Sequence, residues 1–168
     1  MKTCSAIIML LIFTSTKPAA QPVEKMDINQ LKQYISTASK PVVVSFWATW
    51  CASCNEEIPY FISTIEKKYK DSVELLLVSL DFKEAYPSKI AAFAKKRKYN
   101  ARLIWLNETN ADYFCPVINQ RWSGSIPANY FVNSQSGYQQ FYERGLTVLQ
   151  LEAELKKMVA TKGQPSIK

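Results

Sequence analysis

Two nearly continuous apolar runs flank a segment in which apolar residues recur every three or four positions. The runs, Val42–Trp47 and Val73–Leu80, are typical of strands that are buried on both faces of a sheet. In the segment between them, Ile58, Ile62 and Ile65 follow the spacing of one helix face. A buried strand, a helix and a second buried strand predict a βαβ unit with parallel strands.

Further elements are predicted on both sides of this unit, which together indicate an α/β fold with a central mixed sheet flanked by helices. Asp27 and Thr147 are suitable N-caps for helices that reach about residues 38 and 160. Residues 21–25 are expected to form a flexible lead-in. The remaining predictions are helices at 87–98 and 112–122 and strands at 102–106, 128–133 and 138–142. The apolar residues expected to pack the last helix on the sheet are Leu149, Leu151, Leu155 and Val159.

The segment between the first buried strand and its helix carries Cys51 and Cys54 in a C-x-x-C spacing. The helix is predicted to begin at Cys51, where the first backbone amides have no acceptor within the helix and the helix dipole is positive. A thiolate is stabilised there, so we expect the pKa of Cys51 to fall below the ~8.5 of free cysteine. Cys54 lies one turn further on, close enough to form a disulfide with Cys51.

The residues FWATWCASC, with Pro59 eight positions after Cys51, resemble the active-site segment of the thioredoxin superfamily. By pattern they are most similar to the extracytoplasmic TlpA/ResA-type thiol-disulfide oxidoreductases. A second segment, SGSIPA at residues 123–128, resembles the cis-proline loop of that superfamily, with Pro127 as the cis-proline. The resemblance covers residues 40–159 and implies a thioredoxin fold, in which Pro59 kinks the active-site helix.

The resemblance also implies chemical roles for the residues around the cysteines. Cys51 is expected to attack a partner disulfide, and Cys54 to resolve the mixed disulfide that results. Many thioredoxins carry a buried aspartate on the preceding strand, but Ser45 stands at that position here. Glu57 resembles a glutamate of the ResA-like group and is expected to exchange protons with the Cys54 thiol. The alternative is that Glu57 is a solvated helix acid, as Glu56 is expected to be.

Three further residues are expected to contact the substrate, and one cysteine departs from the family pattern. Ile126 is expected to pair its backbone with an extended substrate segment, and isoleucine before Pro127 resembles the reducing members of the superfamily. Trp50 is expected on a docking surface. Trp47 is a candidate contact as well, although ordinary core packing explains it equally. Cys115 is expected to be buried and inert, with a third redox thiol as the alternative.

The N-terminal residues are predicted to lie outside the folded domain. Lys2, an apolar core at residues 6–13 and the small-residue end Pro18-Ala19-Ala20 are typical of a secretory signal peptide that is cleaved after Ala20. An uncleaved N-terminal membrane anchor is the alternative. The prediction is therefore a signal peptide at 1–20, a single thioredoxin-like domain at 21–160 and a C-terminal tail at 161–168, in an exported, periplasmic protein.

Composition narrows the function classes further. The chain has no histidine, which excludes a Cys-His hydrolase and an imidazole metal site. The C-x-x-C pair lacks the second ligand pair of a zinc site, so neither a metal nor a cofactor is expected. The formal charge of +7 comes mostly from predicted helix faces, which favours solvated lysines over a surface for acidic partners or membranes. No motif indicates nucleic-acid binding.

The function that these features predict is a thiol-disulfide oxidoreductase that reduces protein disulfides as a monomer. Its expected partners are protein disulfides or dithiols and an upstream thiol donor in the membrane or periplasm. The alternatives are a thiol oxidant or isomerase of the same fold, or a non-enzymatic module that delivers a metal ion or binds a partner.

Overall fold

The computed structural model describes residues 21–160, which form a six-stranded mixed sheet with helices on both faces. The strand order is β1-β4-β3-β2-β5-β6. The first four strands in that order are parallel to one another, whereas β5 is antiparallel to β2 and to β6. The strands are Val23–Met26 (β1), Val42–Trp47 (β2), Glu74–Ser79 (β3), Arg102–Leu106 (β4), Ala128–Asn133 (β5) and Tyr138–Tyr142 (β6).

The helices divide between the two faces of the sheet because the inner strands are apolar on both sides. On β2, Val43 and Trp47 pack into the core beneath α2, α3 and α5, and Val44 and Phe46 pack into the core beneath α1 and α4. The predicted α/β architecture is confirmed. The helices are Ile28–Thr37 (α1), Ala52–Lys68 (α2), Ser88–Arg97 (α3), Ala111–Ile118 (α4) and Val148–Ala160 (α5), with a short 3-10 helix at Lys83–Ala85.

The predicted flexible lead-in at residues 21–25 is wrong, because Val23–Met26 forms the edge strand β1. This strand runs parallel to β4, with Val23 opposite Leu103 and Met26 opposite Leu106. The Asn107 N–H donates to the Met26 carbonyl at 2.8 Å, which continues the pairing beyond the strand. The neighbouring prediction is confirmed, since Asp27 caps α1 and accepts a hydrogen bond from the Gln30 N–H.

Two helices differ from their predicted form. Helix α4 ends at Ile118 rather than at residue 122. Trp122 lies in the turn that follows, and its backbone N–H donates to the Asn119 carbonyl. In α5 the predicted contact of Leu149 with the sheet is wrong, because 79% of its side chain is exposed. Leu151, Leu155 and Met158 occupy the buried face at spacings of four and three residues, and Leu149 lies outside it.

The predicted signal peptide and the predicted C-terminal tail lie outside the described residues. Within residues 21–160, no helix has both the length and the apolar character needed to cross a bilayer.

Candidate active site

The first cysteine lies at the N-terminus of α2, as predicted. Strand β2 ends at Trp47, and the Cys51 N–H closes the following turn by donating to the Ala48 carbonyl at 3.1 Å. Cys51 is the N-cap, and its Sγ accepts a hydrogen bond from the Cys54 N–H at 3.2 Å. The sulfur therefore takes the place of a capping oxygen, where backbone amides and the helix dipole favour negative charge.

Cys51 and Cys54 are joined by a disulfide, with their Cα atoms 5.3 Å apart. Cys51 keeps 6% of its surface exposed, whereas Cys54 is fully buried. Cys51 is therefore the cysteine of the pair that keeps some contact with solvent.

The turn before the disulfide is fixed by a buried carboxylate that sequence reasoning missed. Asp81 follows β3, and its carboxylate accepts hydrogen bonds from the Thr49 N–H at 3.0 Å and the Thr49 hydroxyl at 2.6 Å. It also accepts from the Ser79 hydroxyl at 2.8 Å. The sequence did carry one signal for this contact, since Asp81 is a polar residue just beyond a buried strand. Because β2 and β3 are parallel neighbours, the residues that follow them lie side by side.

Asn55, in the first turn of α2, also binds the loop that precedes the disulfide. The Asn55 side-chain amide donates to the Thr49 carbonyl at 3.2 Å, and its oxygen accepts from the Tyr99 hydroxyl at 3.0 Å. Arg97 donates to the Asn55 carbonyl at 3.2 Å. Residues on α2, at the end of α3 and just after β3 and α3 therefore fix the backbone that presents Cys51.

Glu57 lies on α2 one turn after Cys54, with only 2% of its surface exposed. The reading of Glu57 as a solvated helix acid is wrong, although its neighbour Glu56 is exposed. The Asn129 side-chain amide donates to Glu57 Oε1 at 3.0 Å, and the Leu146 N–H donates to Oε2 at 3.1 Å. Burial raises the pKa of Glu57 above its usual value, and these two hydrogen bonds oppose the rise.

The Ile126–Pro127 peptide bond is cis, as predicted. Pro127 directly precedes β5, which begins beside the end of β2, with Ala128 opposite Phe46. Ile126 is half-buried and Pro127 is buried. The pairing of β5 with β2 therefore places the proline loop beside the end of β2, where the chain continues to Cys51.

One carboxylate fixes the start of this proline loop. Glu143 accepts hydrogen bonds from the Ser123 N–H at 2.9 Å and the Ser125 N–H at 3.0 Å, and another from the Ser123 hydroxyl. Burial alone would raise the pKa of Glu143, but the hydrogen bonds from Ser123 and Ser125 lower it below its usual value.

The two tryptophans near the cysteines differ in exposure. Trp50, directly before Cys51, is 61% exposed, in agreement with the predicted surface position. The prediction that Trp47 contacts the substrate is wrong, because its side chain is fully buried against Phe93 and Tyr99.

The AhpC/TSA family model matches residues 19–138, which is most of the chain. This chain belongs to the AhpC/TSA family. The predicted resemblance to the thioredoxin superfamily and its TlpA/ResA-type thiol-disulfide oxidoreductases is confirmed.

Two curated relatives resemble this AhpC/TSA protein at low identity. The thioredoxin-like protein YneN of Bacillus subtilis is 27% identical over 117 residues, which cover 69% of this chain and 64% of YneN. The thiol-disulfide oxidoreductase ResA of Oceanobacillus iheyensis is 27% identical over 116 residues, which cover 69% of this chain and 56% of ResA. The match thus spans less than two thirds of the length of either relative.

Solved structures show that the AhpC/TSA chain has a thioredoxin fold. A thioredoxin-related protein from Neisseria meningitidis serogroup B superposes with a TM-score of 0.63 at 21% identity, over 75% of this chain and 90% of that one. StoA from Bacillus subtilis superposes with a TM-score of 0.54 at 22% identity, over 71% of this chain and 84% of StoA.

The third cysteine of this AhpC/TSA domain is buried and unpaired. Cys115 lies on α4 with 1% of its surface exposed. A Cβ atom placed on Gly124 of the proline loop would lie 3.7 Å from its sulfur. Burial, reinforced by the carboxylates of Glu143 and Asp112, raises the pKa of Cys115 to about 11. Within residues 21–160, no cluster of three or more acidic or cysteine side chains could hold a metal ion.

Cys115 is expected to resist alkylation in the folded protein, because its thiol is both buried and protonated. In the Cys51→Ser, Cys54→Ser variant, iodoacetamide at about pH 8 should leave the Cys115 peptide unmodified, since only about one thiol in a thousand is ionised. Mass spectrometry of the digested protein measures this. Unfolding in urea before alkylation is the control and should give complete modification. Rapid labelling of the folded protein would contradict the expectation.

Proposed function

We propose that this protein is a thiol-disulfide oxidoreductase that reduces disulfides in other proteins through Cys51 and Cys54. The observation that supports this most directly is the disulfide at the N-terminus of α2, in which Cys51 keeps 6% of its surface exposed and Cys54 is fully buried. ResA, named a thiol-disulfide oxidoreductase, is 27% identical to this chain over 116 residues.

The first step uses Cys51 of the reduced protein, the cysteine of the pair that keeps some contact with solvent. The Cys51 thiolate attacks one sulfur of the partner disulfide, which forms a Cys51–partner disulfide and releases the other partner sulfur as a thiolate. The amides at the start of α2 stabilise Cys51 as a thiolate before the attack. Ile126 offers its backbone to the partner segment beside the cis-proline, and Trp50 contributes exposed apolar surface.

The second step uses the buried sulfur. Cys54 loses its proton and attacks the Cys51 sulfur, so that the Cys51–Cys54 disulfide forms and the second partner sulfur leaves as a thiolate. Two electrons pass from the Cys51–Cys54 dithiol to the partner. The two partner thiolates are then protonated, so the protons lost by the dithiol balance those gained by the partner. Glu57 accepts the proton from Cys54, because it is the acid one helical turn away and is held out of bulk solvent.

Glu57→Gln is expected to slow this second step about tenfold or more, because the step loses its proton acceptor. In the unchanged protein the rate should rise with pH through a midpoint above the 4.5 of an ordinary glutamate, since burial raises the pKa of Glu57 and only the carboxylate accepts a proton. The variant should lack this rise. Rapid-mixing measurements of protein-disulfide reduction between about pH 5 and pH 9 test both statements.

Glu56→Gln is the matched control, because Glu56 is the neighbouring exposed acid on the same helix. It should leave the rate and the pH profile unchanged. Equal behaviour of the two variants would remove Glu57 from the mechanism.

The midpoint potential tests the proposed direction of electron flow. The protein is equilibrated with mixtures of reduced and oxidised dithiothreitol or glutathione, and the fraction of Cys51–Cys54 disulfide is measured. A reductase requires a potential close to that of reducing thioredoxins, at about −270 mV. A potential near −120 mV would indicate an oxidant. The absence of a reversible two-electron couple would contradict the proposal and favour a binding module.

We also propose that the protein acts outside the cytoplasm as a monomer. The leader-like residues 1–20 support export to the periplasm with cleavage after Ala20, which leaves a domain at 21–160 and a tail at 161–168. Each turnover leaves the Cys51–Cys54 pair oxidised, so a thiol donor in the membrane or periplasm must reduce it again.

A further inference from the structure

A buried polar cluster lies beneath the sheet end that carries the cysteines. It consists of Glu57 on α2, Asn129 on β5, Ser45 on β2 and the backbone of Leu146 before α5, and we call it the Glu57 cluster. All three side chains are almost or fully buried. Buried polar atoms are costly unless they are hydrogen-bonded, so the arrangement of donors and acceptors in this cluster restricts what each residue can do.

The side-chain amide of Asn129 has one orientation that fits its surroundings. Its nitrogen lies 3.0 Å from Glu57 Oε1 and 3.3 Å from the Arg144 carbonyl, and both of these atoms are acceptors. The reverse orientation would place an amide oxygen against a carboxylate and a carbonyl. Asn129 therefore donates both N–H groups and joins Glu57 to the loop before α5.

The oxygen of the same amide points away from these acceptors and has no hydrogen-bond partner among the described residues. The Ser45 hydroxyl is likewise buried without a partner. Ser45 and Asn129 are opposite each other in the β2–β5 pairing, so their side chains share one face of the sheet. A hydroxyl donor and an amide acceptor are complementary in polarity, but the two groups are not hydrogen-bonded to each other.

The backbone on the other side of Glu57 also approaches closely. Leu146 donates its N–H to Oε2, and a Cβ atom placed on the preceding Gly145 would lie only 3.3 Å from that oxygen. The same Cβ would lie 3.7 Å from the Pro127 ring. The Glu57 carboxylate is therefore enclosed between Asn129 and this loop, next to the cis-proline.

We propose that Asn129 is the positioning residue for Glu57, and that the Arg144 carbonyl, as its second acceptor, holds the Asn129 amide in the donating orientation. The inference rests on the proposed function, in which Glu57 accepts the Cys54 proton. Asn129 stabilises the ionised carboxylate by a neutral hydrogen bond, so that a buried acid remains a usable base.

Asn129→Leu tests the proposal, because leucine has a similar size but no donor. The midpoint of the Glu57 titration, followed by the carbon-13 resonance of its carboxyl group, should move upward by about one pH unit, a tenfold change in the ratio of its two forms. The pH profile of the second exchange step should move with it.

Asn133→Leu is the matched control. Asn133 is another buried asparagine on β5, but its amide donates to the Met158 carbonyl, away from Glu57. This variant should leave the Glu57 titration unchanged. In a Glu57→Gln background, Asn129→Leu should have no further effect on the pH profile, because its influence passes through Glu57.

The outcomes separate this inference from the proposed function. If Asn129→Leu leaves the Glu57 titration unchanged, the positioning role is overturned whatever the exchange rates are. If the titration moves but the protein does not reduce disulfides, the proposed function fails and the positioning role stands. If circular dichroism shows that Asn129→Leu does not fold, Asn129→Asp replaces it. Two adjacent carboxyls should then share a proton and raise the midpoint, and an unchanged midpoint would overturn the inference.

Discussion

Replacing Cys54 by serine is expected to trap partner proteins on Cys51 and to lower turnover by about a thousandfold or more. In this variant the first exchange still occurs, because Cys51 keeps its place at the N-terminus of α2. The mixed disulfide then persists, since a buried hydroxyl cannot displace the partner sulfur. Non-reducing electrophoresis and mass spectrometry should reveal a one-to-one adduct with a protein disulfide substrate.

The two other cysteines of the described chain supply the controls. Cys51→Ser should form no adduct, because Cys54 is fully buried. Cys115→Ser should leave both adduct formation and turnover unchanged, because Cys115 is buried in the other core, on the opposite face of the sheet. If the Cys54→Ser variant released its partner as fast as the unchanged protein, the order of the two thiols in the mechanism would be wrong.

Asp81→Ala is expected to lower the free energy of unfolding by about 3 kcal/mol and to slow the first exchange step. The substitution removes the acceptor of the Thr49 N–H, the Thr49 hydroxyl and the Ser79 hydroxyl, all in a region from which water is largely excluded. Hydrogen bonds to a charged group are among the stronger ones, and donors left unpaired in a buried site add their own cost. The turn that presents Cys51 thus loses the hydrogen bonds that connect it to the segment after β3.

Urea unfolding measures this loss of stability. Asp81→Asn should lose less, because its amide oxygen still accepts from part of the set. Asp71→Ala is the matched control, since Asp71 is an exposed aspartate in a surface turn, and it should change the stability by less than about 0.5 kcal/mol. An Asp81→Ala protein as stable as this control would show that the carboxylate does not secure the turn.

The sequence predicts those helices and strands whose ends are set by residues adjacent in the chain, such as a turn or a cap. The hairpin strands β5 and β6 match their predicted bounds because Ser134–Gly137 forms a turn between two β-rich runs. The edge strand β1 has only four residues, two of them charged, and it exists because it pairs with β4 about 80 residues away. Local pattern carries no information about such a pairing. Similarly, Trp122 continues the apolar spacing of α4, but it packs on Phe46 from the following turn.

The same distinction holds within the candidate site. The two cysteines could be predicted because a strand, a turn and a helix start are encoded by adjacent residues. The partners that control them could not, since Asp81, Asn129 and Leu146 reach the site from three separate segments. The burial of Glu57 depends on those partners, and its position on the helix is therefore compatible with either a solvated or a buried acid.

The titration of Cys51 tests the central claim, that the N-terminus of α2 holds this sulfur as a thiolate near neutral pH. The ultraviolet absorbance of the thiolate in the reduced Cys54→Ser protein is followed against pH, together with the rate of exchange with a small model disulfide. This claim requires a midpoint clearly below the ~8.5 of free cysteine and exchange at neutral pH faster than that of free cysteine. A midpoint at or above that of free cysteine, with exchange no faster, would contradict it.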